Sequence, residues 1–197
     1  MRHRHVGRKL GRNPKHQRAL LRALACSLIL TERDLYGDAG EPKTPGRIIT
    51  TLEKAKEVRP FVERCVTIAR RVLPAMRAAQ AMLPVAEPRT PEFAAWRKSE
   101  KGIEWCQTMA PVIAARRHVL KLLHHKEAVG IVFDKLAERF ADRPGGYTRI
   151  LRLATPRLGD GGRRALIEFV GRNDRVRVAK SSRPKFEVET APETVVE

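Results

Sequence analysis

A two-layer α+β domain, with helices packed on a small sheet, is what this sequence predicts, and three observations predict it. Apolar residues recur at helical spacing in several stretches, most clearly at Val58, Phe61, Val62, Cys65, Ile68, Ala69 and Val72. Three short runs read instead as strands, two of them flanking a glycine-rich turn. Only 5 % of residues are aromatic against 42 % hydrophobic, which suits helices filled with Leu, Val, Ile and Ala better than a large β-sandwich. The 197 residues have room for one domain with extensions.

Residues 1–17 carry no hydrophobic period and form a basic amino-terminal arm. Arg2, Arg4, Arg8, Lys9, Arg12 and Lys15 alternate with His3, His5, His16, Gly7 and Gly11, and the first acid of the chain is Glu32. Such a segment cannot bury a core and is expected to be disordered alone. Asn13-Pro14 then starts an amphipathic helix, with proline at the first helical position. Its apolar side is Leu20, Leu21, Leu24, Leu28 and Ile29, with Arg18 and Arg22 turned away. Residues 34–46 are a turn-rich loop. Ile48-Ile49-Thr50-Thr51 is β-branched throughout and predicts a strand. Helical spacing resumes at Leu52, and Pro60 predicts a start or a kink within it.

The single domain is expected to cover 18–173, interrupted by two insertions, about 34–46 and about 74–113. The second differs in composition from its surroundings. Residues 74–111 hold both tryptophans, five prolines and three of the four methionines, and this mixture predicts a helical insertion packed on the domain. Phe93, Trp96, Ile103, Cys106 and Ala110 outline one helix within it. Its apolar mass predicts contact with a neighbour, while the domain core is expected to be complete without it. A basic cluster from Arg116 to Lys126 follows, then a helix bearing Val129, Val132, Phe133, Leu136 and Phe140. Tyr147–Leu153 and Ala165–Val170, joined through Gly159-Asp160-Gly161-Gly162, predict a hairpin. Residues 174–197 are polar, first basic and then acidic, and predict a mobile carboxy-terminal tail.

Charge narrows the function. Forty Lys and Arg against 22 Asp and Glu leave a formal +18, which a compact domain tolerates best against a polyanion. The longest apolar run, near Leu20–Leu30, is short and interrupted by Arg22, so membrane insertion is not expected. Cys26, Cys65 and Cys106 form no C-x-x-C pair, and the first two fall among apolar residues as small core hydrophobes in a reduced compartment. Catalysis finds no phosphate loop, dinucleotide fingerprint or nucleophile elbow. Glu53, Glu57 and Glu63 stand at the spacing of solvated intrahelical pairs. His124-His125 are adjacent on a helix, about 100° apart, with no further ligand at metal spacing. Neither an enzyme, a small-molecule substrate, a cofactor nor a metal is expected.

Two segments point to RNA. The arm, aperiodic and punctuated by glycine and histidine, has the make-up of a strand that orders against phosphates and stacks between bases. Arg143-Pro144-Gly145-Gly146-Tyr147-Thr148-Arg149 serves equally as a helix stop or as an RNA contact. In the second case its glycines admit close backbone approach, Tyr147 offers a stacking face and Arg149 a fork.

The opening Met1-Arg2-His3-Arg4, Gly7-Arg8, Arg12-Asn13 and His16 to Arg18 resembles the amino terminus of the bacterial large-subunit ribosomal protein seventeen family. Thr50-Thr51-Leu52 with Lys54 to Glu57, Gly145 to Leu151, and Ile167-Glu168-Phe169-Val170 resemble that family as well, in the same order. The likeness covers roughly 1–33, 47–73 and 114–173. It implies a structural constituent of the 50S subunit, in the cytoplasm, bound to 23S rRNA among neighbouring large-subunit proteins. The residues it nominates for rRNA are Arg2, His3, Arg4, Arg8, Lys9, Arg12, Asn13, His16, Arg18, Arg22, Gly145, Gly146, Tyr147, Thr148 and Arg149. A likeness that begins at Met1 argues against an organellar presequence, to which the Arg-rich start otherwise corresponds. A free DNA-binding protein and an RNA-modifying enzyme are the competing readings. The first requires a recognition helix, and the second a cofactor loop or paired acids.

Overall fold

The computed structural model describes residues 7–33, 42, 44–84 and 90–171. Helix α1 spans Pro14–Leu30, β1 Arg47–Thr51 and α2 Leu52–Arg71; α3 is Leu73–Ala81, α4 Pro91–Lys98 and α5 Glu100–Leu123. Then come α6 (Lys126–Ile131), a π-helical turn (Val132–Leu136), α7 (Ala137–Arg139), β2 (Thr148–Arg152) and β3 (Arg164–Phe169). The α+β class is as the sequence predicts.

Strand β3 is central, antiparallel to both neighbours, in the order β1-β3-β2. Alternation then sorts the side chains. Ala165, Ile167 and Phe169 enter the core, with Ile48 and Ile150 opposite Ile167 packed against it. Residues of the other parity form two rows across the outer face: Arg47, Glu168, Arg149 and Ile49, Leu166, Leu151. Helix α2 lies across the core face and buries Val58, Val62, Cys65, Val66 and Ala69, the stripe that its periodicity predicts. It begins at Leu52 and continues through Pro60, and the exposure of that proline lets water take the carbonyl it leaves unbonded.

Helix α5 differs from its prediction. It is one helix of 24 residues that runs from the insertion, through Pro111, into the basic cluster. The insertion is thus not an appendage on a finished core. Met76 and Val112 sit in the main apolar cluster, and Ala79 is fully buried. Only the outer part of the segment packs on itself. Trp96 stacks with Phe93 at 5.4 Å and meets Trp105 edge-on at 5.9 Å. Gly102 marks the tight corner between α4 and α5, where a Cβ would lie 2.4 Å from the Trp96 carbonyl oxygen. No helix among the described residues is long and apolar enough to cross a membrane.

Candidate nucleic-acid interface

The described part of the arm folds back on the start of α1. Gly7 and Gly11 have φ of 98° and 100°, a left-handed backbone that side chains disfavour. Between and after them Arg8, Lys9 and Arg12 surround a cleft of about 490 Å³ closed by Gln17. The Gln17 side-chain amide donates to the Arg8 carbonyl at 2.8 Å, and the Arg8 guanidinium lies 3.7 Å from Glu57 on α2. Asn13 caps α1 by accepting from the Lys15 amide at 2.9 Å, and Pro14 follows at the first helical position. No acid stands in the first turn of α1, so the helix end adds its partial positive charge to that of the arm. The arrangement suits a phosphate.

The nominated residues fall into distinct groups. Arg2, His3 and Arg4 lie outside the described residues, as do the tail 174–197 and most of the insertion 34–46. Lys9, Arg12, His16 and Arg18 are exposed and make no side-chain hydrogen bond or ion pair among the described residues. Asn13 and Arg22 also serve the fold: Asn13 is the cap of α1, and the Arg22 Nε donates to the Leu122 carbonyl at 3.1 Å, satisfying a terminal acceptor of α5.

The second motif divides as well. Tyr147 is 1 % exposed and packs on Phe140 at 5.1 Å, so the ring expected to stack on a base is committed to the core. Thr148 is also buried, and its hydroxyl donates to Glu63 Oε1 at 2.8 Å. The Arg149 Nε donates to Glu168 Oε1 at 2.5 Å, so the fork expected to be open is engaged in the sheet. Gly146 has φ of 64° and needs glycine for its backbone; Gly145 does not. A Cβ at either would meet nothing within 4 Å, which leaves the turn accessible to a partner.

Glu57 and Glu63 also do more than solvate α2. Glu63 keeps its expected intrahelical pair with Arg59, at 3.2 Å, but in addition ties down the start of β2. Glu57 holds the arm. In the second basic cluster Arg116 pairs with Asp134 at 2.8 Å and stacks over Phe133, while His124 ends α5 with φ of 57° and His125 caps α6 by accepting from the Ala128 amide at 3.2 Å. Among the cations left unpartnered in the described residues are Lys56, Arg64 and Arg71 on α2 and Arg117, His118 and Lys121 on α5. Arg64 and Arg71 were not singled out in the sequence. Their spacing, two helical turns apart with no acid between them on that stripe, is the signal that could have found them.

Comparison with known proteins agrees with this geometry. The family model described as ribosomal protein L17 matches residues 20–170. The chain is 57 % identical over 194 residues to the large ribosomal subunit protein bL17 of Rhodopirellula baltica, covering 98 % of this chain and 91 % of the relative. The bL17 of Thermus thermophilus is 35 % identical over 170 residues, 86 % of this chain and 99 % of the relative. The bL17 of Syntrophotalea carbinolica is 30 % identical over 197 residues, 100 % of this chain and 92 % of the relative. The family match and these relatives together show that the chain belongs to the L17 family of bacterial large-subunit ribosomal proteins.

Proposed function

We propose that this protein is a structural constituent of the bacterial large ribosomal subunit, in the cytoplasm, and that it binds 23S rRNA chiefly through its basic arm. The observation that carries this is the cleft of Arg8, Lys9 and Arg12 at the acid-free start of α1. These cations displace counterions condensed on rRNA phosphates, so binding gains entropy from ion release and weakens with salt. Ordering each residue of the arm costs about 1–2 kcal/mol, which many charge-assisted contacts must offset. Its partners are rRNA and neighbouring large-subunit proteins, and no catalytic step is part of this role. Leu83 and Ile103, 45 % and 54 % exposed on the insertion, support a neighbour contact there.

The test is filter binding of the protein to 23S rRNA across a series of KCl concentrations. Replacing Arg2, Arg4, Arg8 and Arg12 with Ala removes four cations and is expected to reduce the slope of log affinity against log salt by about 3, at roughly 0.7–0.9 per cation. An unchanged slope would overturn the arm as the rRNA contact.

A further inference from the structure

The cations that the fold leaves unpartnered are not confined to the arm. Helices α2 and α5 bound a cleft of about 600 Å³, with Arg64, Thr67 and Arg71 on one wall and Ala114 and His118 on the other. Ile68 and Ala115 contribute to its floor. No Asp or Glu lines it. The acids of α2 that could have neutralised it are turned elsewhere, Glu57 to Arg8 and Glu63 to Arg59 and Thr148. Arg64, Arg71 and His118 are exposed and have no hydrogen-bond or ion-pair partner among the described residues.

We propose that this α2–α5 cleft is a second RNA site, which holds a stretch of phosphodiester backbone. The inference rests on the rRNA-binding reading and extends it to a surface about two helical turns long. Arg64 and Arg71 are seven residues apart, so their bases lie about 10 Å apart along α2. That separation lets the two guanidinium groups hold neighbouring phosphates of a strand. Guanidinium forks match phosphate oxygens bidentately, the Thr67 hydroxyl adds a donor, and the His118 ring offers a donor and a stacking face. The Ala114 wall, with Ala115 beneath it, is low enough for a sugar–phosphate chain to approach. On α2, Lys56 and Pro60 continue the same exposed stripe from Arg64 toward Glu57, where the arm is attached. The two sites therefore lie toward opposite ends of one exposed stripe of α2. An acidic helix of a neighbouring protein would meet the same charges above Ile68, Val72 and Ala115, but two guanidinium forks spaced along an acid-free rim match a run of phosphates better than scattered carboxylates.

The experiment uses the full chain and protein-free 23S rRNA as probe. In the Arg64→Ala/Arg71→Ala variant the salt slope is expected to fall by about 1.4–1.8, at roughly 0.7–0.9 per cation, additively with the arm variant. Ala114→Glu, which removes nothing from the fold, is expected to weaken binding at least fivefold by placing a carboxylate against the backbone. Photocrosslinking from a benzophenone side chain at Thr67 in assembled subunits is expected to label rRNA. Wild-type protein that bound rRNA without salt dependence would defeat the rRNA reading itself. Wild-type protein that binds normally while the cleft variants keep its slope and affinity would overturn the cleft alone, and so would a Thr67 crosslink to a ribosomal protein.

Discussion

Glu168 sits fully buried in the central strand, between Arg47 of β1 and Arg149 of β2, and the energetics of that row can be worked through by substitution. Its carboxylate lies 2.8 Å from the Arg47 guanidinium and 2.5 Å from Arg149, whose side chains are 30 % and 34 % exposed. Exposed ion pairs contribute about 0–1 kcal/mol, whereas a buried charge stripped of its partner costs about 3–5 kcal/mol. Removing either arginine alone leaves Glu168 one counter-charge, so Arg47→Ala and Arg149→Ala are each expected to cost about 1–1.5 kcal/mol. Removing both leaves the carboxylate buried and alone, at about 4–5 kcal/mol. The two substitutions should therefore couple by about 2 kcal/mol. Urea unfolding followed by circular dichroism, with similar m values for all four proteins, measures this coupling directly. Additivity to within about 0.5 kcal/mol would refute the reasoning, because it would mean that water or the backbone already satisfies Glu168. The same variants separate structure from recognition: if Arg149 serves the sheet, Arg149→Ala lowers stability and leaves the salt slope of rRNA binding unchanged.

Gly146→Ala is expected to cost about 1–2 kcal/mol for its left-handed backbone, and Gly145→Ala less than about 0.5, with thermal unfolding as the check. Equal losses at both positions would contradict this, while a stable Gly145→Ala that fails to incorporate would place RNA against that residue. Tyr147→Phe is expected to be neutral or to stabilise by up to about 1 kcal/mol, since the buried hydroxyl has no partner among the described residues. A loss above about 1 kcal/mol in urea unfolding would reveal a partner. Burial, with smaller help from nearby Cys26, pushes the Cys65 thiol up to about 12, against the opposing charge of Arg64. The folded chain thus keeps a proton that the unfolded chain loses near pH 8.5. The stability from this group is complete below that pH and declines toward pH 12 by about 1.4 kcal/mol per unit. Iodoacetamide at pH 8 should leave Cys65 unlabelled in folded protein, and labelling at the unfolded rate would sink the assignment.

Local physics made much of the fold legible. The alternation of Ala165, Ile167 and Phe169, the 3.6-residue period of α2 and the Asn13-Pro14 start of α1 each depend on neighbours within a turn or two, which sequence displays. The insertion was harder to read for a physical reason. Pro74, Pro91 and Pro111 suggest interruptions, yet Pro91 opens α4, Pro74 stands in the first turn of α3, and only Pro111 lies inside a helix, where its exposed side lets solvent take the lost hydrogen bond. Val112 enters the core because α5 is continuous across the insertion boundary, and Met76 because α3 packs on α5, so a deletion of 75–112 would remove core residues along with the projection.

By itself the sequence determined the α+β class, the basic arm with its helix start, and the formal +18 that favours a polyanionic partner, because composition and local periodicity carry all three. It could not decide which cations are available. The sequence nominates Arg149 for RNA and passes over Arg64, yet the fold pairs the first and leaves the second open. The sheet register brings Glu168 beside Arg149 from 19 residues away, and the packing of α5 on α2 leaves Arg64 over an acid-free cleft. Pairing of charges depends on distances of a few ångströms between distant segments, and only tertiary structure sets those distances.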